Sequence, residues 1–197
     1  AETLLPLIDA DQDKAIKQAE ETLGQFRLHF EKAYAGGLAR KIGLLTLRAD
    51  DFELTNDLLG RMAQHQVDFT LMFRRLCDAA TDTAHDEPVR ELFVDPTAFD
   101  EWAVKWRARL AEEGGYTAAR GAIMHAANPA YIPRNHRVEE AIAAATAGDF
   151  APFETLVKVL AQPYDDQPEY GDYQKPPRED QIVQLFGGKL AHQRGQP

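Results

Sequence analysis

The sequence predicts an all-α fold, and three observations support this fold class. Apolar residues recur at spacings of three and four over most of the chain, which places them on one face of successive helices. Aspartate, proline and paired glycines separate these segments, as is typical of helix starts and stops. No segment shows the alternation expected of a strand, and no internal repeat is visible.

The first predicted helix follows a short apolar segment at residues 4–8. Asp9 or Asp11 is suited to cap this helix, which we expect to run to about Tyr34. The pair Gly36-Gly37 is its predicted stop, and a separate short turn of helix, LARKIGL, is predicted after it. The apolar positions at helical spacing are Ile16, Ala19, Leu23, Phe26 and Phe30.

Three helices are predicted in the middle of the chain. Asp50 or Asp51 caps the first and Asp68 the second, and Asp95-Pro96 begins the third. The segment CDAATDTAHDEP is predicted as an exposed loop, and Gly114-Gly115 as the stop of the third helix. The residues predicted to face inward are Phe52, Leu54, Leu58, Leu59 and Met62, then Phe69, Met72, Phe73 and Leu76, then Phe99, Trp102, Ala103, Trp106 and Leu110.

The C-terminal part is predicted to contain helices over residues 117–127, 137–147 and 150–160. Gly148 ends the second of these and Asp149 caps the third. From Tyr164 onward the chain is rich in proline and is predicted to be extended. We expect its tyrosines to pack across the helical body as a strap, and the alternative is that they bind a partner. A short helix, REDQIVQLF, is predicted before the tail. These features divide the chain into a helical region (1–127), a helical hairpin (128–162) and a C-terminal strap and tail (163–197).

Composition excludes several classes of partner. The chain has 197 residues and a formal net charge of -10, with 32 acidic and 22 basic residues. This charge argues against general binding to nucleic acid or to an anionic membrane surface, because both require a basic surface. No apolar run has the length of a membrane span. The single cysteine, Cys77, cannot form an internal disulfide and fits a reducing compartment.

The chain shows no recognisable catalytic motif. The glycine pairs lack the strand that precedes a phosphate-binding loop. No two histidines have metal-ligand spacing, and only His125 and His136, which flank a proline turn, are candidates to meet in space. Cys77 is interpreted as a buried structural cysteine, because the end of a helix does not favour a thiolate. The acidic pairs at 50–51, 112–113 and 165–166 are interpreted as solvated caps and loops.

The stretch NPAYIPRNHRVEEAIAAATAGDF, at residues 128–150, interrupts the helical pattern and restarts it at once. Prolines at 129 and 133 cannot continue a helix, and Asn135 is predicted to cap the next one. Arginine at a rigid turn typically clamps carboxylates or backbone carbonyls of a neighbouring segment. We therefore predict a fixed structural joint between two helical layers, formed by Asn128, Pro129, Tyr131, Arg134 and Asn135.

This stretch, together with LVKVLAQPYDDQPEYGDY after it, resembles the C-terminal part of the SelO (selenoprotein O, or YdiU) family of kinase-like protein adenylyltransferases. The segments at 1–8, LARKIGL, FTLMFRRL and FDEWAVKWRARL resemble preceding parts of the family, so the resemblance covers almost the whole chain. The residues that match the family pattern between 128 and 173 are Asn128, Pro129, Tyr131, Arg134, Asn135, Ala141, Ile142, Gly148, Asp149, Pro163, Tyr164 and Tyr170.

The resemblance implies a part of an enzyme that transfers AMP from ATP to protein hydroxyl groups with a divalent metal, usually magnesium. In this family the phosphate-cradling loop, the ATP-facing lysine and the metal-binding Asp and Asn lie upstream of the matched region. No catalytic, cofactor-binding or metal-binding residue is therefore assigned in this chain, which is expected to be C-lobe-like and inactive alone. Its implied partners are the missing N-terminal kinase-like region and the protein substrates, in a bacterial cytoplasm.

Two alternatives remain at this point. The chain could be a stand-alone helical interaction module, or an unrelated helical enzyme with a histidine–carboxylate site around His125 and His136.

The absence of an initiator methionine before Ala1 suggests a piece of a longer protein, although methionine removal produces the same start. The family often carries cysteine or selenocysteine in its C-terminal tail, whereas the tail GGKLAHQRGQP has neither.

Overall fold

A computed structural model describes residues 2–115 and 117–181. Within these ranges the chain is helical and contains no strand, which confirms the all-α prediction. Short 3₁₀ helices cover Glu2–Leu4, Thr83–His85 and Pro168–Gln174. The α-helices are α1 (Leu5–Ile8), α2 (Gln12–Lys41), α3 (Asp51–Gln64), α4 (Phe69–Ala79), α5 (Glu87–Arg90), α6 (Thr97–Ala111), α7 (Ala118–Ala127), α8 (Asn135–Thr146) and α9 (Ala151–Leu160).

The main core lies between α3, α4, α6 and α7, and the two tryptophans of α6 are at its centre. Trp102 and Trp106 are fully buried and stack with ring centroids 5.2 Å apart. Their indole N–H groups donate to the carbonyls of Leu54 (2.9 Å) and Ile42 (2.8 Å). These bonds satisfy the polar end of each ring, so the whole side chain is buried without leaving an unsatisfied donor. The predicted inward face of α6 is confirmed.

Several predicted helix ends are also confirmed. The side chain of Asp11 accepts hydrogen bonds from the backbone at the start of α2, and that of Asp68 does so at the start of α4. Gly114, Gly115 and Gly148 have positive φ and follow α6 and α8, as expected of helix stops.

The prediction that Gly36-Gly37 ends the first helix is wrong. Helix α2 continues through both glycines to Lys41, so the first four residues of LARKIGL are its last turn and the remaining three follow it, without a separate helix. A glycine inside a helix costs only about 1 kcal/mol, and packing of α2 on α3 and α7 opposes this cost. The chain turns instead at Gly43, where φ is +80° and a Cβ atom would lie 2.6 Å from Met124 Sδ.

The apolar positions of α2 do not face the core. Phe26 is 65% exposed and Phe30 is 54% exposed, although both have the spacing of a buried face. The buried residues of α2 are Ala15, Leu38 and Ala39, near its two ends. The central part of the helix therefore presents an apolar face to solvent.

Four finer predictions also need correction. Phe52 and Phe69 are about half exposed, because each lies in the first turn of its helix, beyond the edge of the core. Asp50 is at the capping position of α3, but its side chain makes no capping bond, and Asp51 is the buried first residue of the helix. The predicted loop at 77–88 contains the end of α4, a 3₁₀ turn and part of α5. Asn135 is exposed and is the first residue of α8, so the capping position belongs to Arg134.

The sequence predicts an extended chain after α9, but this is only partly correct. Residues 168–174 form a 3₁₀ helix. Tyr170 and Tyr173 are partly buried against a small second cluster formed by Ala130, Tyr131 and Val159. Most of the predicted helix REDQIVQLF and the tail after it lie outside the described residues. The division at 127 and 162 stays a prediction.

Candidate functional site: the polar joint at residues 128–134

The segment between α7 and α8 is held in place through its backbone. Asn128 precedes a proline and takes an extended conformation, which ends α7. The N–H groups of Ala130 and Tyr131 both donate to the carbonyl oxygen of Pro163, at 2.8 and 3.1 Å. The start of this segment is therefore fixed to the chain that follows α9.

The side chain of Asn128 connects this segment to the end of α2. Asn128 is 1% exposed; its amide nitrogen donates to the carbonyl of Lys41 (2.9 Å), and its amide oxygen accepts from Lys41 Nζ (3.2 Å). The same ammonium lies 5.5 and 5.4 Å from the ring centroids of Phe69 and Phe73. Burial lowers the pKa of Lys41, while the two rings and the oxygen acceptors favour its charged form.

Arg74 on α4 is the central donor of the joint, and the sequence analysis did not assign it. Its Nη1 donates to the carbonyls of Asn128 (3.1 Å) and Tyr164 (3.0 Å), and its Nη2 to the carboxylate of Asp166 (2.6 Å). One guanidinium thus joins α4 to two segments more than 50 residues away in sequence. The only sequence signal was its position inside the apolar run Met72–Cys77.

Arg134 makes the second ionic connection. Its Nη1 and Nη2 lie 2.8 and 3.0 Å from the two carboxylate oxygens of Asp68, the residue that caps α4. Burial raises the pKa of Asp68, but the hydrogen bonds from Arg134 and from the backbone of α4 outweigh it, and the net pKa is lowered. Two-point binding of a carboxylate by arginine fixes orientation as well as distance.

Tyr131 anchors the chain after α9. It is 1% exposed, and its hydroxyl donates to the carbonyl of Gln167 at 2.6 Å and accepts from the N–H of the same residue at 3.3 Å. The side-chain amide of Gln167 in turn donates to the carbonyls of Val159 and Gln162. Of the five residues predicted to form the joint, Asn128, Tyr131 and Arg134 are buried, Pro129 is partly buried, and Asn135 is exposed and lies outside this network of bonds.

Cys77 lies against this joint and does not have the character of a nucleophile. Its thiol is buried and donates to the carbonyl of Phe73 at 3.1 Å, and the amide of Asn128 lies 3.5 Å from the sulfur. Burial raises the pKa of Cys77 to about 11. The thiolate is the reactive form of cysteine, so this environment suppresses reactivity.

The two candidate histidines have separate surroundings. His125 Nε2 lies 3.1 Å from Asp78 Oδ1 at a half-exposed position. His136 is buried at the start of α8, and burial lowers its pKa. Across residues 2–115 and 117–181, no group of three or more His, Cys, Asp or Glu side chains is arranged to hold a metal ion.

A second buried polar cluster holds the loop between α2 and α3. Arg109 binds Asp51 through Nε (2.7 Å) and Nη2 (3.1 Å), and its Nη2 lies 2.9 Å from Glu113. The carboxylate of Glu113 also accepts the N–H groups of Leu45 (2.9 Å) and Thr46 (3.1 Å). Burial raises the pKa of Glu113, but these donors outweigh it and lower the pKa to about 2. Of the three acidic pairs interpreted as solvated, two each contain a buried carboxylate, so that interpretation is wrong for Asp51 and for Glu113.

Arg120 on α7 completes this second cluster and was also missed. It is 2% exposed and donates to the carbonyls of Gly43 (2.7 Å) and Glu113 (3.0 Å). Burial lowers the pKa of Arg120. Both clusters direct arginines at backbone carbonyls and carboxylates of this chain, so they stabilise the packing of helices. None of the helices in the described part of the chain is long and apolar enough to cross a membrane.

Known proteins that are similar to this chain belong to one family. The family model described as protein adenylyltransferase SelO matches residues 1–161. Proteins named protein nucleotidyltransferase YdiU are 55% identical over 95% of this chain in Bradyrhizobium diazoefficiens, 55% over 90% in Methylorubrum extorquens and 51% over 95% in Nitrobacter hamburgensis. The chain spans 37 to 38% of the length of these relatives. The chain thus belongs to the SelO family.

Proposed function

We propose that this chain is the C-terminal helical portion of a SelO-family protein adenylyltransferase. The whole protein would transfer AMP from ATP to Ser, Thr or Tyr hydroxyls of protein substrates with the help of a divalent metal, usually Mg²⁺. In this proposal the chain is C-lobe-like within a protein-kinase-like fold. Its proposed partners are an N-terminal kinase-like region and the protein substrates, in the cytoplasm of a bacterium.

The observation that carries the proposal is the family match over residues 1–161 of a chain that spans 38% of the length of a relative. The matched family pattern at residues 128–173 includes the polar joint at residues 128–134, whose buried side chains bond to the chain's own backbone and carboxylates. Such a joint supports a body of helices. It leaves the nucleotide chemistry to residues elsewhere in the longer protein.

We also infer that ATP and Mg²⁺ are held by residues outside the described part of this chain. Nucleotidyl transfer depends on donors that cradle the phosphates and on carboxylate or amide oxygens that hold the metal. Gly36-Gly37 lies inside α2, and Gly114-Gly115 ends α6, so neither pair opens a helix N-terminus after a strand. The buried arginines already bind carbonyl and carboxylate groups. No step of the reaction is therefore assigned to this chain, which we propose to be inactive alone.

The test is calorimetric titration of ATP with Mg²⁺ into this chain and into the same chain preceded by its native upstream sequence. We expect binding only by the longer protein. Binding by the short chain would contradict the proposal, because it would require a nucleotide site within these residues. Binding by neither would instead favour a stand-alone helical interaction module, which the exposed apolar face of α2 would also suit.

A further inference from the structure

Helix α2 carries an apolar stripe that its own fold leaves uncovered. The stripe consists of Ile16, Ala19, Leu23, Phe26, Phe30 and Tyr34. Their spacings of three and four residues place them within about 80° of one another around the helix axis. Leu23 is 65% exposed, and the large side chains after it remain about half exposed or more.

The aromatic part of the stripe is an ordered surface. Phe26 and Phe30 stack with ring centroids 6.0 Å apart, and Phe30 and Tyr34 stack at 5.7 Å. From Ile16 to Tyr34 the stripe is about 27 Å long, at 1.5 Å per residue. Monomeric soluble proteins rarely expose a contiguous apolar surface of this kind, whereas interfaces bury aromatic residues preferentially.

The position of the stripe indicates what covers it. The chain enters the described structure through α1, which packs against the first part of α2 beside the stripe. Leu4 and Leu7 there are also exposed, at 57% and 83%. In the longer protein of the proposed function, residues that precede position 1 would enter next to this apolar surface. The relatives are more than twice as long as this chain, and the proposed function accordingly places a large part of the protein outside it.

We propose that the apolar stripe of α2 is the docking surface for the upstream region of the same polypeptide in the longer protein. This inference rests on the proposed function, since it takes the missing region to precede this chain. The occupant presents an apolar surface to the rings of Phe26, Phe30 and Tyr34. Docking there would couple the upstream region to the core, because the last turn of α2 packs on α3 and α7.

The test combines charge insertion with chain length. Phe26→Glu and Phe30→Glu place a carboxylate on the stripe, and Leu28→Glu places one on the other side of α2. Leu28 is 69% exposed and lies about 160° around the helix from Phe30, so it is a matched control. All three variants should leave the melting temperature of the short chain nearly unchanged. In the longer protein the two stripe variants should lower the melting temperature by several degrees, while Leu28→Glu should not.

Hydrogen exchange supplies a second readout. We expect amides at residues 20–34 to exchange at least about tenfold more slowly in the longer protein than in the short chain. Equal exchange in both, or equal effects of the stripe and control variants in the longer protein, would overturn the proposal. The short chain of 22.0 kDa could instead form a dimer that Phe26→Glu dissociates, with no added protection in the longer protein. That result would assign the stripe to a second copy and would also overturn the proposal.

These outcomes are separable from those of the nucleotide titration. A protected stripe in a longer protein that binds no ATP would support the docking surface and contradict the proposed function. Conversely, the longer protein could bind ATP while the amides of its stripe exchange as fast as in the short chain. That result would support the proposed function and contradict the docking surface.

Discussion

Arg134 holds both carboxylate oxygens of Asp68, at 2.8 and 3.0 Å, while the same carboxylate accepts the Leu71 N–H at the start of α4. One acidic side chain therefore caps a helix and receives an ion pair from a segment 66 residues later. The entry to α8 and the start of α4 are thereby fixed relative to each other.

Replacing Arg134 should be costly. Arg134→Ala leaves a partly buried carboxylate without its cation and should lower the free energy of unfolding by about 3 kcal/mol. Arg137→Ala is the control, because Arg137 is more exposed and its loss should cost about 1 kcal/mol. Urea denaturation monitored by circular dichroism measures both. Equal losses would show that the ion pair with Asp68 has no special weight.

Two glycine substitutions should act in opposite directions. Gly43→Ala forces a side chain into a backbone with φ of +80° and brings Cβ to 2.6 Å from Met124 Sδ, so we expect a loss of about 2 kcal/mol. Gly36→Ala lies in a helix with no atom within 4 Å of the new Cβ and should stabilise by about 0.5–1 kcal/mol. Thermal unfolding of the two variants beside the parent chain is sufficient. Destabilisation by Gly36→Ala would contradict a continuous α2.

Acid should weaken the cluster around Glu113. The pKa of Glu113 is lowered to about 2 in the folded state, below the value near 4.3 of an unfolded glutamate. Its contribution to stability is therefore complete above the unfolded pKa and is lost as the pH falls from about 5 toward 2. Glu113→Gln should flatten the pH dependence of the free energy of unfolding in this window. Glu112→Gln removes an equal charge from the exposed neighbouring position; equal flattening by both variants would exclude a special role for Glu113.

Cys77 should be nearly inert in the folded protein. Since burial raises the pKa of its thiol to about 11, we expect reaction with a disulfide reagent at pH 8 to be at least about 100-fold slower than that of free cysteine. Urea should restore the full rate, and the signal is unambiguous because Cys77 is the only cysteine. Rapid, complete labelling without denaturant would contradict the buried environment.

Helical periodicity and turn chemistry predicted much of the fold from the sequence. Trp102 and Trp106 have the spacing of a buried face and are buried, and Asp11, Asp68 and Gly148 punctuate helices as their chemistry requires. These predictions succeed because their causes are local.

The failures have non-local causes. Helix α2 passes through Gly36-Gly37 because its last turn packs on distant helices, and local propensity cannot report that packing. The same helix shows the period of a buried face yet exposes it, because periodicity indicates that a face is apolar and not which surface covers it. Arg74, Arg109 and Arg120 were missed since arginine is usually exposed, and only the fold reveals the carbonyls they bind.

The acceptors of the joint are mainly peptide carbonyls: Pro163 receives two N–H groups, Arg74 reaches Asn128 and Tyr164, and Tyr131 reaches Gln167. A carbonyl is contributed by every residue type, so many exchanges of side chain between positions 161 and 166 would leave these bonds in place. Inserting or deleting one residue just before Pro163 would displace the carbonyls of Pro163, Tyr164 and Gln167 together. This stretch should therefore tolerate substitutions far better than insertions or deletions. The number of residues in it matters more for the structure than their identity.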